Sequence, residues 1–399
     1  MDIDEDPHEA AFRSEVRAWF ARPDVREAAA DVAGGSQAHE SDWAARSKRW
    51  QAFLAESGWA CITWPTDYGG RGGTATEAGI FAEEATRAGV VGSPFAVGLS
   101  MAGPTIIAHG SADQKARFLP PMLRGDEVWC QLFSEPGAGS DLAGVSTRAE
   151  RDGDEWVVNG QKVWTSGAQY SDFGMLLART DLDQPKHRGI TYFLLDMRTA
   201  GIDVRPLRQM TGQAHFSEVF LTDVRVPDAA VLGDVNAGWG VAMTTLANER
   251  GFMGGNRASV FEELLTLARS RGVADNPVLR QEMAASFTRA EIIRYTGLRI
   301  RTATSHGRAA GPEAMILKLF AACNTKTNTE LTLAVDGAAA MVSGAWHPSF
   351  LQAPSLRIAG GSDEIQRNLL GERVLGLPGE PRVDKDVPFR ELNTRFSTQ

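Results

Sequence analysis

CQLFSEPGAGSDLAGVSTRAERDGDEWVVNGQKVWTSGAQYSDFGMLLAR, residues 130–179, carries clear strand and turn signals. Apolar and polar residues alternate along much of it, as they do in half-buried β-strands. Asp152-Gly153 and Asn159-Gly160 separate the alternating runs, and such pairs are typical of hairpin turns. The stretch therefore predicts an antiparallel sheet.

A glycine-rich corner, residues 134–141 (SEPGAGSD), follows the first strand. Its glycines have no Cβ, so a flat ligand could lie against the main-chain N–H groups. One large aromatic and several hydroxyls gather on the neighbouring strand ends: Trp164, Ser134, Ser140 and Ser166. This set suits a planar cofactor with polar edges and one face stacked on indole. A β-meander with a glycine-rich corner and no ligand is the alternative.

Helical patterns flank this β region on both sides. Apolar residues recur at helical spacing from Phe12 onward, and helices are predicted over much of residues 12–123. After Gly240 four long segments carry apolar stripes and few breakers, over 240–271, 277–305, 312–341 and 363–374. We predict an α+β multidomain protein with an N-terminal α-helical domain, a middle antiparallel β-barrel and a C-terminal antiparallel four-helix bundle. The expected boundaries are 1–123, 124–233 and 234–399, with a loosely held polar tail after Pro378.

Composition excludes several classes of protein. The chain has 399 residues and a net charge of −9, with no basic block of the kind that binds nucleic acid. Its three cysteines, Cys61, Cys130 and Cys323, have no metal-ligand spacing, which indicates a reduced intracellular protein without a metal site. The N-terminus is acidic rather than apolar, and no run is long enough to span a membrane. A soluble, cytoplasmic protein is therefore expected.

Three motifs in the same order resemble the flavin-dependent acyl-CoA dehydrogenase family. They are WPTDYGGRGG (64–73), the SEPGAGSD and WVVNGQKVWTSGA pair (134–141 and 156–168), and GGSDEIQRNLLGERVLGLP (360–378). The resemblance runs from about Phe12 to Pro378. It implies the acyl-CoA dehydrogenase fold, FAD bound where the last two domains meet, and α,β-dehydrogenation of an acyl-CoA thioester to the trans-2-enoyl-CoA.

The resemblance also assigns candidate FAD contacts. The isoalloxazine contacts that it implies are Phe133, Ser134, Ser140, Trp164, Ser166 and Ser362. Ser140 would also approach the substrate thioester. For the ADP half the family's usual motif is altered, and Arg271 and Arg280 are both candidates because arginine binds pyrophosphate through forked hydrogen bonds. Each could equally be a solvated helix charge, and Gly337 is a weaker backbone candidate.

The catalytic base is harder to place. In medium- and short-chain relatives it precedes the closing motif, where this chain has Gly360, whose N–H can still serve as a donor to the thioester oxygen. Isovaleryl- and long-chain-type relatives place a glutamate before an arginine on a bundle helix, and Glu249-Arg250 match that arrangement. Glu249 is thus the predicted base and Arg250 a substrate-binding candidate. Asp363 and Glu364 are expected in the first turn of the closing helix, where acidic residues are favoured.

The resemblance implies an acyl-CoA substrate, an electron-transfer flavoprotein as acceptor, and a homo-oligomer or a heteromer with a homologous subunit. Two alternatives are kept: an FAD-binding subunit of a heteromeric acyl-CoA dehydrogenase, and an acyl-CoA oxidase or flavin monooxygenase on the same fold. The acyl group itself is not predicted, because the depth of its cavity depends on residues far apart in sequence.

Overall fold

The computed structural model describes residues 5–33, 40–90, 93–253, 259–306, 313–342, 344–382 and 384–395. The chain divides into two compact units. The first contains Pro7–Arg208, Ala214–Glu249 and the described part of Pro381–Gln399, and the second contains Gln209–Gln213 and the described part of Arg250–Glu380.

Helices form the N-terminal part of the first unit. They are α1 (Pro7–Ala21), α2 (Pro23–Ala33), α3 (Glu40–Glu56), α4 (Ala75–Arg87), α5 (Gly103–His109) and α6 (Ala112–Arg124). Aromatic side chains from several of them share one core, in which Trp19 contacts Trp50 and Trp59. Two helices begin with reciprocal caps, Thr74 with Glu77 at α4 and Ser111 with Gln114 at α6. These local signals explain why the helical prediction for this region is confirmed.

The middle of the chain forms one curled, seven-stranded sheet. Its strands are β1 (Trp129–Leu132), β2 (Arg148–Asp152), β3 (Glu155–Ser166), β4 (Phe173–Arg179), β5 (Ile190–Asp196), β6 (Ile202–Leu207) and β7 (Phe216–Pro227). The strand order is β1-β4-β2-β3-β7-β6, and β5 pairs with β4. Most pairs are antiparallel, as predicted, but β4 runs parallel to β1 and to β2.

One of the two predicted turns is wrong. Asp152-Gly153 does join β2 to β3, but β3 continues straight through Asn159-Gly160. Gly160 instead marks an irregularity in the pairing with β7. A Cβ at Gly160 would lie 2.5 Å from the Thr147 hydroxyl, so glycine is needed here for close backbone approach. The same dipeptide suits a bulge as well as a turn.

Helix α7 (Gly238–Met253) follows the sheet, and its residues up to Glu249 belong to the first unit. Val241 and Ala242 are buried in the core that also holds Tyr192. The Thr245 hydroxyl lies 3.0 Å from that of Thr105 and 3.1 Å from that of Tyr192. These buried hydrogen bonds fix α7 against the strands and helix α5.

The end of the chain folds back onto the sheet as α13 (Phe389–Arg395). Phe389 is buried, with the Arg179 guanidinium 3.8 Å from its ring centre. Lys186 forms an ion pair with Asp384 at 2.7 Å. The prediction of a loosely held tail is therefore wrong for residues 384–395. The segment is polar in sequence because it is attached by one buried aromatic residue together with polar contacts.

The second unit is helical. Its helices are α8 (Ser259–Ser270), α9 (Pro277–Ser305), α10 (Glu313–Asp336), α11 (His347–Gln352) and α12 (Asp363–Arg373). Helix α10 packs against α8, α9 and α12, which gives the predicted helical bundle. Leu264, Ala268, Met283 and Leu331 lie in its apolar core. The first predicted bundle helix, 240–271, corresponds to α7 and α8, and residues 254–258 between them lie outside the described residues.

Candidate active site

The glycine-rich corner is an open loop at the end of β1. Two backbone hydrogen bonds of 3.0 Å between Glu135 and Ala138 close it into a tight turn. Gly137 and Gly139 are exposed, and a Cβ on either would meet no atom within 4 Å. Ser140 is exposed beside them. The corner thus presents bare backbone to its surroundings, as the sequence predicts.

A buried ion pair lies under this corner. The Lys162 ammonium is 2.8 Å from Glu135, and these side chains are 0% and 4% exposed. Lys162 also donates to the Phe133 carbonyl at 3.1 Å. The Glu135 carboxylate accepts from the N–H groups of Ser146 (2.7 Å) and Thr147 (2.9 Å). The pair ties the end of β1, the corner and the approach to β2 into one rigid piece.

The charge state of Glu135 follows from these contacts. Burial favours its neutral form, but the Lys162 charge and the hydrogen bonds from Lys162, Thr147 and Ser146 lower the pKa of Glu135 to about 2. Burial lowers the pKa of Lys162, and the Glu135 charge opposes that effect. The Glu135 carboxylate is therefore ionised at neutral pH.

Arg179 extends this framework. Its guanidinium donates to the carbonyls of Ala143 (2.6 Å) and Val145 (3.2 Å), and also to that of Lys186 (2.9 Å). Lys186 in turn forms an ion pair with Asp141 at 2.8 Å. Lys162 thus holds the start of the corner through Glu135, and Lys186 holds its end through Asp141.

Trp164 has an unusual backbone conformation and an exposed side chain. Its φ of 60° lies in the left-handed region, where a non-glycine residue costs about 1–3 kcal/mol. The pairing of β3 with β7 shifts register between Lys162 and Thr165, and the indole is left 61% exposed with its edge against Phe216. Strain of this kind is typical of functional positions. Ser166 is exposed as well, whereas Thr165 between them is buried.

The structure brings several predicted cofactor contacts together. The Val163 N–H donates to the Ser134 carbonyl at 2.9 Å, so the strand that carries Trp164 passes the start of the corner. Phe133 is buried and packs edge-on against Tyr192. An exposed indole, uncovered glycines and nearby hydroxyls fit the isoalloxazine of a flavin.

The predicted base lies in the same unit. The Gln131 side-chain amide, on β1, donates to the Glu249 carboxylate at 3.5 Å. Gln131 is two residues before Phe133, and Glu249 is half-buried on α7. A residue 118 positions away in sequence is therefore brought to the strand that leads into the glycine-rich corner. The side chain of Arg250 lies outside the described residues.

The closing motif forms a loop and a helix start in the second unit. Gly360 and Gly361 have φ of 67° and 89°, which glycine adopts most easily. The Ser362 hydroxyl accepts from the Ile365 N–H at 3.3 Å and so caps α12. Asp363 lies in the first helical turn, as predicted, but it is buried and paired with Arg357 at 2.6 Å. The other acidic residue of that turn, Glu364, is exposed.

The two arginines proposed for the ADP half of FAD differ in their surroundings. Arg271 pairs with Asp336 at 2.7 Å, and Gly337 follows directly with a φ of 62°. Arg280 is exposed in the first turn of α9, and its side chain makes no hydrogen bond to another described residue. Arg271 and Gly337 thus lie together, and the guanidinium of Arg271 has a carboxylate partner.

Sequence reasoning missed the residues beneath the corner. Lys162, Glu135 and Arg179 were not singled out, although one signal was present. Trp156, Val158 and Lys162 have the same parity in β3, so Lys162 falls on the buried face and needs an anionic partner. Nothing comparable in the sequence identifies Arg179 at the end of the apolar strand β4.

In the part of the chain that the structure describes, no cluster of three or more His, Cys, Asp or Glu residues could hold a metal ion. None of the described helices is both long enough and apolar enough to cross a membrane.

Comparisons with known proteins agree with the fold. Three sequence profiles of one family match: the acyl-CoA dehydrogenase N-terminal domain over residues 6–126, the middle domain over 130–224 and the C-terminal domain over 236–375. Acyl-CoA dehydrogenase IpdE1 of Mycobacterium tuberculosis is 39% identical over 93% of this chain and 98% of that protein. FadE34 of the same organism is 40% identical over 90% of this chain and 48% of its own length.

Solved structures give the same result. "Tcur3481-Tcur3483 steroid ACAD" superposes with a TM-score of 0.81 at 30% identity, over 95% of this chain and 100% of that chain. The ChsE4-ChsE5 complex from Mycobacterium tuberculosis superposes with a TM-score of 0.78 at 31% identity, again over 95% and 100%. The fold and the three profiles together define an oxidoreductase. The chain belongs to the acyl-CoA dehydrogenase family, whose members are FAD flavoproteins.

Proposed function

We propose that this enzyme removes the α- and β-hydrogens of an acyl-CoA thioester to give the trans-2-enoyl-CoA, with Glu249 as the α-proton base. The observation that carries the proposal is the contact of Gln131 with the Glu249 carboxylate. It brings a helix-borne carboxylate to the strand that ends at the glycine-rich corner and its exposed indole.

FAD is the proposed cofactor, and different residues of this chain are proposed to bind its different parts. Trp164 would stack on one face of the isoalloxazine, and Ser134 and Ser166 would bind its polar edges through backbone and hydroxyl groups. The Phe133 backbone and Ser362 are the further contacts proposed. Arg271, with Gly337 beside it, is the better candidate for the pyrophosphate because the two lie together, and Arg280 is kept as the second. When bound, FAD accepts the β-hydrogen together with its electron pair.

The remaining steps fall to this chain and the substrate. Glu249 takes the α-proton onto a carboxylate oxygen, and the α C–H electrons form the new C=C bond as the β-hydrogen leaves with its own pair. Negative charge grows on the thioester oxygen meanwhile, and the Gly360 N–H is the proposed donor to it. Ser140 and Arg250 are proposed substrate contacts.

The proposed substrate class is taken from a relative. One solved relative at 30% identity is a steroid ACAD. We therefore propose a bulky, ring-bearing acyl group for this enzyme as well. An electron-transfer flavoprotein is the proposed acceptor.

An oligomer is also proposed. Helix α9 leaves several large apolar side chains uncovered: Val278, Phe287, Ile292 and Tyr295. Exposed apolar side chains of this size can pack against another chain. One solved relative, ChsE4-ChsE5, is a complex of two different chains, so a homologous partner subunit is included in the proposal. Sedimentation velocity should give a particle larger than the 43.1 kDa of one chain, and a flavin-loaded, active monomer would contradict this part.

The experiment for the whole proposal uses the purified flavin-loaded protein without oxygen. Acyl-CoAs with short, branched, long and steroid-ring acyl groups are added in turn, and the loss of oxidised-flavin absorbance is followed. Rapid loss with the ring-bearing substrate is expected, and the enoyl-CoA should be recovered in equal amount. Yellow protein that no acyl-CoA reduces would instead favour a silent FAD-binding subunit. Reoxidation by air at the rate of turnover would favour an oxidase.

A further inference from the structure

Side chains hold both glycine carbonyls of the closing loop. The Gln366 amide donates to the Gly360 carbonyl at 3.1 Å, and the Lys318 ammonium makes a short hydrogen bond to the Gly361 carbonyl. On the other side of the loop, the Ala359 N–H donates to the Ser355 carbonyl at 2.9 Å. Gly360 is thus fixed by hydrogen bonds on both of its flanks.

These bonds determine which way the loop's N–H groups face. In a trans peptide the C=O and the following N–H point in opposite directions. Holding the carbonyls of Gly360 and Gly361 therefore fixes the N–H groups of Gly361 and Ser362 directly. It constrains the Gly360 N–H indirectly, because that N–H belongs to the one peptide between the bonded Ala359 N–H and the bonded Gly360 carbonyl. A pair of glycines is otherwise the least constrained backbone available.

Burying the polar groups of both side chains has a desolvation cost. Gln366 is only 2% exposed, and a Cβ at Gly361 would lie 2.7 Å from its amide nitrogen. Lys318 is half-buried on α10, and burial lowers its pKa although the charge of Asp363 opposes this. Leucine or methionine would have a lower desolvation cost at this position than lysine. The hydrogen bond from Lys318 to the loop carbonyl therefore indicates a role in fixing the loop.

We propose that Lys318 and Gln366 are positioning residues that hold the Gly360 N–H in the direction needed to donate to the thioester oxygen. This inference rests on the proposed function, since it assigns support to the donor named there. Neither residue touches the reacting atoms. Each acts through the backbone of the closing loop.

The test uses two variants and a matched control in the flavin-loaded protein. Lys318→Met and Gln366→Leu remove the donors with little change in volume. Lys326→Met removes a lysine of the same helix whose partner, Glu330, is a surface residue one turn away. Two probes are compared for binding. The first is the enoyl-CoA product of the acyl-CoA that reduces the wild-type protein fastest. The second is the S-alkyl-CoA thioether of equal length, which has no carbonyl oxygen.

We expect the two loop variants to bind the thioester about tenfold more weakly and to be reduced about 10- to 100-fold more slowly at saturating substrate, as for a misplaced oxyanion donor. Thioether affinity and flavin content should stay at wild-type values. Lys326→Met should match wild type throughout, and Lys318→Arg, which keeps a donor, should recover part of the loss.

Two results would overturn the inference. One is Lys318→Met behaving like Lys326→Met. The other is equal weakening of thioester and thioether, which would indicate a general structural role. Wild-type protein that no acyl-CoA reduces would refute the proposed function instead, so the two failures are distinguishable.

Discussion

Replacing Lys162 with methionine should destabilise the first unit strongly. The substitution keeps the length of the side chain but leaves the buried Glu135 carboxylate without its cation. Removing one partner of a buried ion pair costs about 3–5 kcal/mol. Because Glu135 retains bonds from Ser146 and Thr147, we expect the lower end, about 3 kcal/mol.

The assay is urea unfolding of the flavin-loaded protein, followed by tryptophan fluorescence and by flavin release. Arg225→Met is the matched control, since Arg225 lies on β7 of the same sheet and pairs with Asp152 and Glu155 at the surface. Exposed pairs contribute about 0–1 kcal/mol. The double variant Glu135→Leu with Lys162→Met should recover much of the loss, because no buried charge remains.

The loss should also depend on pH. The folded-state pKa of Glu135 lies below its value in the unfolded chain, so its contribution is present above about pH 4.5 and is lost as pH falls toward about 2. The difference in stability between wild type and Lys162→Met should shrink over the same window. A loss below about 1 kcal/mol at neutral pH, or equal to that of Arg225→Met, would refute the reasoning.

Three further predictions concern the cofactor face, the tail and the thiols. Trp164→Ala should weaken FAD retention by removing a stacked face, so a raised FAD dissociation constant is expected; unchanged FAD binding would contradict the stacking role. Phe389→Ala should destabilise the first unit by about 3 kcal/mol through lost burial against Arg179, which differential scanning calorimetry can measure; a change within about 0.5 kcal/mol would show that the tail is not anchored. Burial raises the pKa of Cys130 to about 12, so a thiol reagent at pH 8 should modify half-buried Cys323 first, and prior labelling of Cys130 in the folded protein would contradict this.

The order of helical, β and helical regions could be predicted because each rests on local periodicity. Apolar spacing in α1 and alternation in β3 are properties of neighbouring residues. The turn at Asp152-Gly153 is equally local. The continuation of β3 through Asn159-Gly160 is not a local property. It depends on Thr147, which lies where a Cβ at residue 160 would otherwise be.

The residues that hold the site in place could not be predicted, because their contacts join residues far apart in sequence. Glu135 and Lys162 are 27 positions apart, and Gln131 and Glu249 are 118 apart. Such pairs become visible only when the strands are in register. The resemblance supplied the residues that would contact a flavin or a substrate. The residues that hold them in place come from the structure.

The central claim, that Glu249 removes the α-proton, is tested most directly by α-hydrogen exchange in D₂O. A 3-thia-acyl-CoA isolates this step, because sulfur at the β-position leaves no hydrogen to transfer. Mass spectrometry of the recovered thioester should show rapid deuterium uptake with wild-type protein and with Glu263→Gln, a control on the exposed face of α8. With Glu249→Gln, which retains the side-chain volume, we predict uptake at least about a hundredfold slower at unchanged FAD content. Uptake at the wild-type rate in Glu249→Gln would contradict the account.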